Sequence, residues 1–184
     1  MNQIKNEAEE ILQEGLYQIL NKYGTPFITG SYYLDLMTWR DLDIYIDVPN
    51  ESKFFNLSFD LANYLKPDKM NYRNEINLDR PGKPSGLYLG IYAEIKQENW
   101  KIDLWGFKDS QIKKHKEDLY NLKQKVEKED NKNKILQIKK EFCKHPLYRK
   151  KFFSMDIYNS VIENEVTSIN KFKNWLKNNK NIKL

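Results

Sequence analysis

Residues 29–48 read TGSYYLDLMTWRDLDIYIDV, and the last eight of them alternate. Leu42, Ile44, Ile46 and Val48 take every second position, with Asp41, Asp43, Tyr45 and Asp47 between them. Side chains along a strand point to opposite faces in turn, so the pattern predicts a strand with one face on a core and one acidic face open. Asp41 and Asp43 then share a face, two residues apart. Carboxylates this close repel one another unless a cation lies between them. Hard divalent cations such as Mg2+ take a few carboxylate oxygens together with substrate phosphates, and this pair offers the first part of that set. Upstream, the apolar run TPFITG (25–30) predicts a strand that delivers Gly30-Ser31 into a short helix over 31–38, with Leu34 and Met37 on its buried side. Small residues there let backbone N–H groups approach a phosphate, and the Ser31 hydroxyl either adds a donor or caps the helix.

A third carboxylate stands further along. In KIDLWGF (101–107), Ile102 and Leu104 alternate with Lys101, Asp103 and Trp105, which places Asp103 on an open strand face. The strand before it sets Leu89, Ile91, Ala93 and Ile95 against Tyr92, Glu94 and Lys96. A two-residue turn near Glu98-Asn99 would put Glu94 directly opposite Asp103, as a further acid or base or as an edge charge. Three carboxylates from two strands can hold one or two Mg2+ ions, which neutralise a triphosphate and lower the pKa of an attacking hydroxyl. Arg40 and Lys101 sit beside these acids in sequence. Either can contact a phosphate, and Arg40 can equally pair with a carboxylate. Tyr45, Tyr92 and Trp105 fall on the acidic face, where they stack on a ring of a ligand or pack inside the protein.

Outside this stretch the signals are structural. Residues 3–22 predict an amphipathic helix stopped by Gly24, and 51–65 predict a second, ending before Pro67. Residues 79–86 (DRPGKPSG) predict a loop. Beyond Gly106 the chain turns rich in Lys and Asn, with helical apolar spacing over 109–127, 131–143 and 148–180 and an exposed link at 127–134. His115 and His145 read as surface residues, and Cys143 as a buried small apolar one.

Charge divides the same way. Residues 1–107 hold 11 basic and 16 acidic side chains, and 108–184 hold 20 and 10. The expected organisation is an α+β core over 1–107, a mixed sheet with flanking helices, followed by a basic helical region over 108–184. One cysteine excludes a disulfide framework and a multi-thiolate zinc site, and two histidines exclude a His-rich metal centre. The polar start MNQIKNEAEE is unlike a signal peptide, and no apolar run approaches the roughly 18 residues of a membrane span, so the expected setting is cytoplasmic, with no membrane partner.

Gly30-Ser31, then Asp41-Leu42-Asp43, then a distant Asp103 on a strand resemble the signature of the polymerase-beta-type nucleotidyltransferase superfamily. The resemblance covers about residues 25–107 and is tightest over 28–48. It implies transfer of a nucleoside monophosphate from an NTP such as ATP to a hydroxyl, with release of pyrophosphate. Asp41 and Asp43 would bind Mg2+, Asp103 would complete the metal site or act as base, and Gly30, Ser31 and Arg40 would hold the nucleotide. Members that modify antibiotics pair such a core with a C-terminal helical part, which makes a small hydroxylated acceptor the first expectation. Two alternatives stay open: a regulatory or antitoxin-like enzyme that modifies a protein or RNA partner, and an inactive core that binds nucleic acid through its basic region.

Overall fold

The computed structural model describes residues 3–76, 84–128 and 130–184, which form two compact units, one running to Leu119 and one from Tyr120 to Leu184. The boundary expected from composition, at residue 107, falls at the end of a strand; the first unit continues through the next 12 residues, to Leu119.

The first unit is a five-stranded sheet backed by helices. In chain order its strands are β1 (Pro26–Ile28), β2 (Asp41–Asp47), β3 (Lys69–Asn74), β4 (Leu87–Ile95) and β5 (Glu98–Phe107), arranged β1-β2-β5-β4-β3. β2 and β5 run parallel at the centre, and every other neighbouring pair is antiparallel. The alternation read in the sequence is the observed one: Leu42, Ile44 and Ile46 are buried, and Asp41, Asp43, Tyr45 and Asp47 are half-buried. Helices α1 (Gln3–Ile11), α2 (Tyr17–Asn21) and α4 (Glu51–Leu65) cover the apolar face. There Ala8, Leu12, Leu16 and Leu20 meet Phe54, Leu57 and Leu61 above Leu42, Ile44, Leu89, Ile91, Ile102 and Leu104. Burying one such side chain is worth roughly 1.5–3 kcal/mol, so this layer holds β2 and β5 side by side. α4 has the ends its sequence calls for. Asn50 Oδ1 accepts from Lys53 N at 3.1 Å, and Lys66 closes the helix in the left-handed region just before Pro67.

Several expectations need correction. The first helix is broken by a π-helical turn, Leu12–Leu16, and Gly24 donates to Leu20 O at 3.2 Å without adopting a left-handed cap. The helix expected over 31–38 shrinks to α3 (Gly30–Tyr33), because Asp35 turns left-handed at φ +58. The hairpin turn lies at Lys96-Gln97, both with positive φ, two residues before the expected position. That register buries Trp100 opposite Ala93 and sets Gly90, not Glu94, opposite Asp103. His115 is half-buried against Tyr45 and Phe107, with ring centres 5.1 and 5.2 Å apart. Of the loop expected at 79–86, residues 79–83 lie outside the described residues.

α5 (Asp109–Val126) starts in the first unit and ends in the second. The rest of the second unit is α6 (Asn131–Phe142), α7 (Ser154–Asn164) and α8 (Ile169–Lys180). α6 begins inside the stretch 127–134 expected to be a link, of which Glu129 lies outside the described residues. The stretch 148–180 forms two helices: Glu165 is left-handed, and Ser168 Oγ accepts from Lys171 N at 3.3 Å to start the second. Phe142, Phe152 and Phe172 meet with ring centres 5.5–5.9 Å apart and form its core. Here His145 is half-buried beside Phe142 and Phe152, and Cys143 is half-buried too. No described helix is long and apolar enough to cross a membrane.

Candidate active site

The parallel pairing of β2 with β5 decides the geometry. Asp43 is in register with Asp103, and Asp41 with Lys101, so all four side chains rise from one face of adjacent strands. Asp41, Asp43 and Asp103 each offer a carboxylate oxygen within 4.8 Å of the others. Burial, and then the neighbouring charge of Asp43, push the Asp41 carboxyl up to about 8. The cluster is thus short of positive charge, and it is built of oxygen donors alone, the set a hard divalent cation prefers. The residues present fit such an ion.

One cation of the chain itself reaches in. Lys101 Nζ lies 3.5 Å from Asp41 Oδ1 and pairs with Asp103 Oδ2. Burial works against its charge, but Asp41 and Asp103 outweigh burial and raise its pKa. The same ammonium sits 5.9 Å from the centre of the Trp39 ring.

Two glycines let the acids pack. Gly30 takes φ +56, and a Cβ there would lie 2.1 Å from Asp43 Oδ2. Thr29 N donates to Asp43 O at 2.9 Å and ties the same turn to β2. Gly90 stands opposite Asp103, and a Cβ on it would fall 2.5 Å from the Tyr88 hydroxyl. That hydroxyl donates to Asp103 Oδ1 at 2.7 Å. Burial and this bond raise the pKa of Tyr88, so it keeps its proton. The Arg73 guanidinium lies over the Tyr88 ring, 3.9 Å from its centre. Tyr88, Gly90 and Arg73 escape a reading that looks for charged clusters; the signal available was a glycine inside a strand, which marks a close approach.

The remaining expected residues sit as follows. Ser31 is half-buried in α3, beside Gly30. Arg40 is held by carboxylates: its Nε donates to Glu7 Oε2 at 2.8 Å and a terminal nitrogen to Glu98 Oε1 at 2.8 Å. Glu94 is exposed and faces Asn99, four residues along β4 from the partner of Asp103. Its pairing with Asp103, expected from a turn at Glu98-Asn99, does not form, because the turn lies at Lys96-Gln97 and fixes the other register. On the acidic face Tyr88, Trp105 and Phe107 form an aromatic row, with the rings of Trp105 and Phe107 stacked 5.6 Å apart. Tyr45 packs edge-on to Phe107 at 5.0 Å and is pushed up to about 12 by burial.

No protein-family model matches the sequence, and no curated protein does. Solved structures match it in shape. A structure of the poly(A) polymerase complex GLD-2–GLD-3 matches over 88% of this chain and 53% of that one, with TM-score 0.59 and 13% identity. A structure of a mutant Cid1 poly(U) polymerase bound to MgATP matches over 88% of this chain and 50% of that one, with TM-score 0.61 and 13% identity. The chain spans about half the length of the polymerase chains it resembles. What is shared at this identity is architecture: an α+β arrangement with a mixed five-stranded sheet and flanking helices. The chain has the fold shared by these two polymerase structures.

Proposed function

We propose that this chain is a nucleotidyltransferase dependent on a divalent cation, with Asp41 and Asp43 as the ligands of that cation and Mg2+ as its natural occupant. The single observation behind the reading is the convergence of Asp41, Asp43 and Asp103 within 4.8 Å on two parallel strands of this fold. Mg2+, when bound, supplies neutralisation of the triphosphate. The chain's own groups do the rest. The close turn at Gly30-Ser31 presents backbone N–H groups to the phosphates beside Asp43. An acceptor hydroxyl oxygen attacks the α-phosphorus, the bond to the β-phosphate oxygen breaks, and pyrophosphate leaves. Asp103, oriented by Tyr88, takes the hydroxyl proton. Arg40, engaged by Glu7 and Glu98, supports α1 against the hairpin and is not assigned to the nucleotide.

The acceptor is a hydroxyl compound, and one feature bears on its class. Residues 120–184 carry 16 basic and 7 acidic side chains, a surplus suited to a polyanion such as RNA. The two polymerases of like fold are named for making poly(A) and poly(U). A small hydroxylated acceptor, the first expectation from sequence, has no comparable feature on its side. The test is Mg2+-dependent pyrophosphate release with each of four NTPs, with an RNA oligonucleotide or a panel of small hydroxylated compounds as acceptor. Turnover lost in Asp41→Asn and Asp43→Asn supports the reading. Unchanged release by either variant, or no release and no NTP binding by the parent protein, overturns it.

A further inference from the structure

The second unit gathers three consecutive basic residues on one tight loop. Between α6 and α7 the chain reads LYRKKFF over 147–153. Tyr148 and Phe152 anchor the loop from inside, both buried, with ring centres 5.5 Å apart. Leu147 O accepts from Lys150 N at 3.1 Å and from Lys151 N at 2.8 Å, and Arg149 N donates to Phe152 O at 2.7 Å. The turn is tight enough that Arg149 takes φ +64, a left-handed conformation that costs a residue with a side chain. Arg149, Lys150 and Lys151 are all exposed. Phe152 is buried, whereas Phe153 beside it is 50% exposed.

Like charges held within one turn repel one another, and exposed ones add nothing to a core. The acid at the start of α7 does not neutralise them. Asp156 Oδ1 pairs with Lys180 Nζ at 2.8 Å, and its Oδ2 accepts from Phe153 N at 2.8 Å. Lys180 thereby brings a further cation close to Phe153. Among the described residues, no carboxylate pairs with Lys150 or Lys151. Cations beside an outward aromatic ring are the combination that holds single-stranded nucleic acid: the cations follow the phosphates, and a base of any identity stacks on the ring. An anionic membrane attracts the same lysines but needs an apolar face to enter it. Among the described residues, the large apolar side chains exposed beside the loop are Phe153 and Met155, too few for such a face.

We propose that the loop 149–153 is a binding site for single-stranded RNA, with Lys150 and Lys151 on its phosphates and a base stacked on Phe153. A phenyl ring reads no base edge, so the site is tolerant of sequence. The inference rests on the nucleotidyltransferase reading for the role of that RNA, which is the acceptor.

Fluorescence anisotropy of the full chain with a labelled RNA of about 15 nucleotides, across a series of salt concentrations, tests it. Each phosphate contact to a single strand contributes about 0.7 to the slope of log affinity against log salt. Lys150→Gln/Lys151→Gln should make that slope shallower by about 1.4. Phe153→Ala should weaken binding about tenfold at unchanged slope. Lys53→Gln/Lys66→Gln, which removes the same charge from exposed positions of α4 and its cap, should leave the slope as it is. Circular dichroism of each variant reports folding separately. An unaltered slope in the loop variant, an equal loss of slope in the α4 variant, or full affinity in Phe153→Ala overturns the proposal. Binding to phosphatidylserine vesicles without binding to RNA overturns it as well. Failure of the underlying reading looks different: RNA binds through the loop, yet no NTP releases pyrophosphate in its presence.

Discussion

The hydroxyl of Tyr88 reaches Asp103 Oδ1 at 2.7 Å across the one residue of β4 that has no side chain to block it, Gly90. Removal of the hydroxyl in Tyr88→Phe costs about 0.5–1.5 kcal/mol of stability and frees Asp103 to rotate. Turnover should fall roughly tenfold, with the KM for NTP little changed, because orientation of the reacting carboxylate and not nucleotide affinity is lost. Gly90→Ala should match that loss by pushing the hydroxyl away. The double variant should be no worse than either single one, since both remove the same contact. Additive losses in steady-state kinetics would show that Gly90 acts through something else.

Gly30 stands against Asp43 as Gly90 stands against Tyr88. In Gly30→Ala the new Cβ meets Asp43 Oδ2 and the backbone must hold φ +56, a conformation that costs a side-chain-bearing residue roughly 1–2 kcal/mol. The expected outcome is a folded protein of lower melting temperature that binds Mn2+ at least tenfold more weakly, measured by calorimetric titration. Unaltered affinity would separate the Gly30 turn from the carboxylate site.

Arg40 is predicted to matter for stability and not for phosphate binding. It bridges Glu7 of α1 and Glu98 of β5, both partly exposed, and exposed pairs contribute up to about 1 kcal/mol each. Arg40→Met should lower stability by about 1 kcal/mol in urea unfolding while leaving the KM for NTP within about twofold. A large rise in that KM would return Arg40 to the nucleotide.

His115 sets a pH limit on the first unit. Burial against Tyr45 and Phe107 lowers its pKa below the ordinary 6.5, so the unfolded chain binds a proton that the folded one resists. Its contribution is fully present above pH 6.5 and is lost as pH falls through that value toward the lower folded pKa. His115→Gln should flatten this part of a stability-against-pH curve obtained from denaturant midpoints. An unchanged slope between pH 7 and 5 would place the effect on other groups.

Some of the molecule was legible in the chain because the relevant signals are local. The alternation of 41–47 is a period-two pattern with a wholly apolar half, and it forces Asp41 and Asp43 to one face whatever surrounds them. α4 is announced by its apolar stripe, its Asn50 cap and Pro67. β3, KMNYRN, is not announced. It has no apolar alternation, only partial burial, and exists as an edge strand through its pairing with β4.

The sequence by itself determined the strand with two acids, the glycine-serine turn before it and the third acid at position 103, because each depends on neighbours within a few residues. Only the tertiary structure decided which groups meet. The parallel β2–β5 register brings Asp103 level with Asp43 and inserts Lys101 beside Asp41, across a separation of 60 residues. The hairpin register, fixed by the turn at Lys96-Gln97, puts Gly90 and not Glu94 opposite Asp103 and so admits Tyr88. The register of β2 with β5 is set by which apolar side chains fill the core together, and that is a property of the packed layers, not of any one segment.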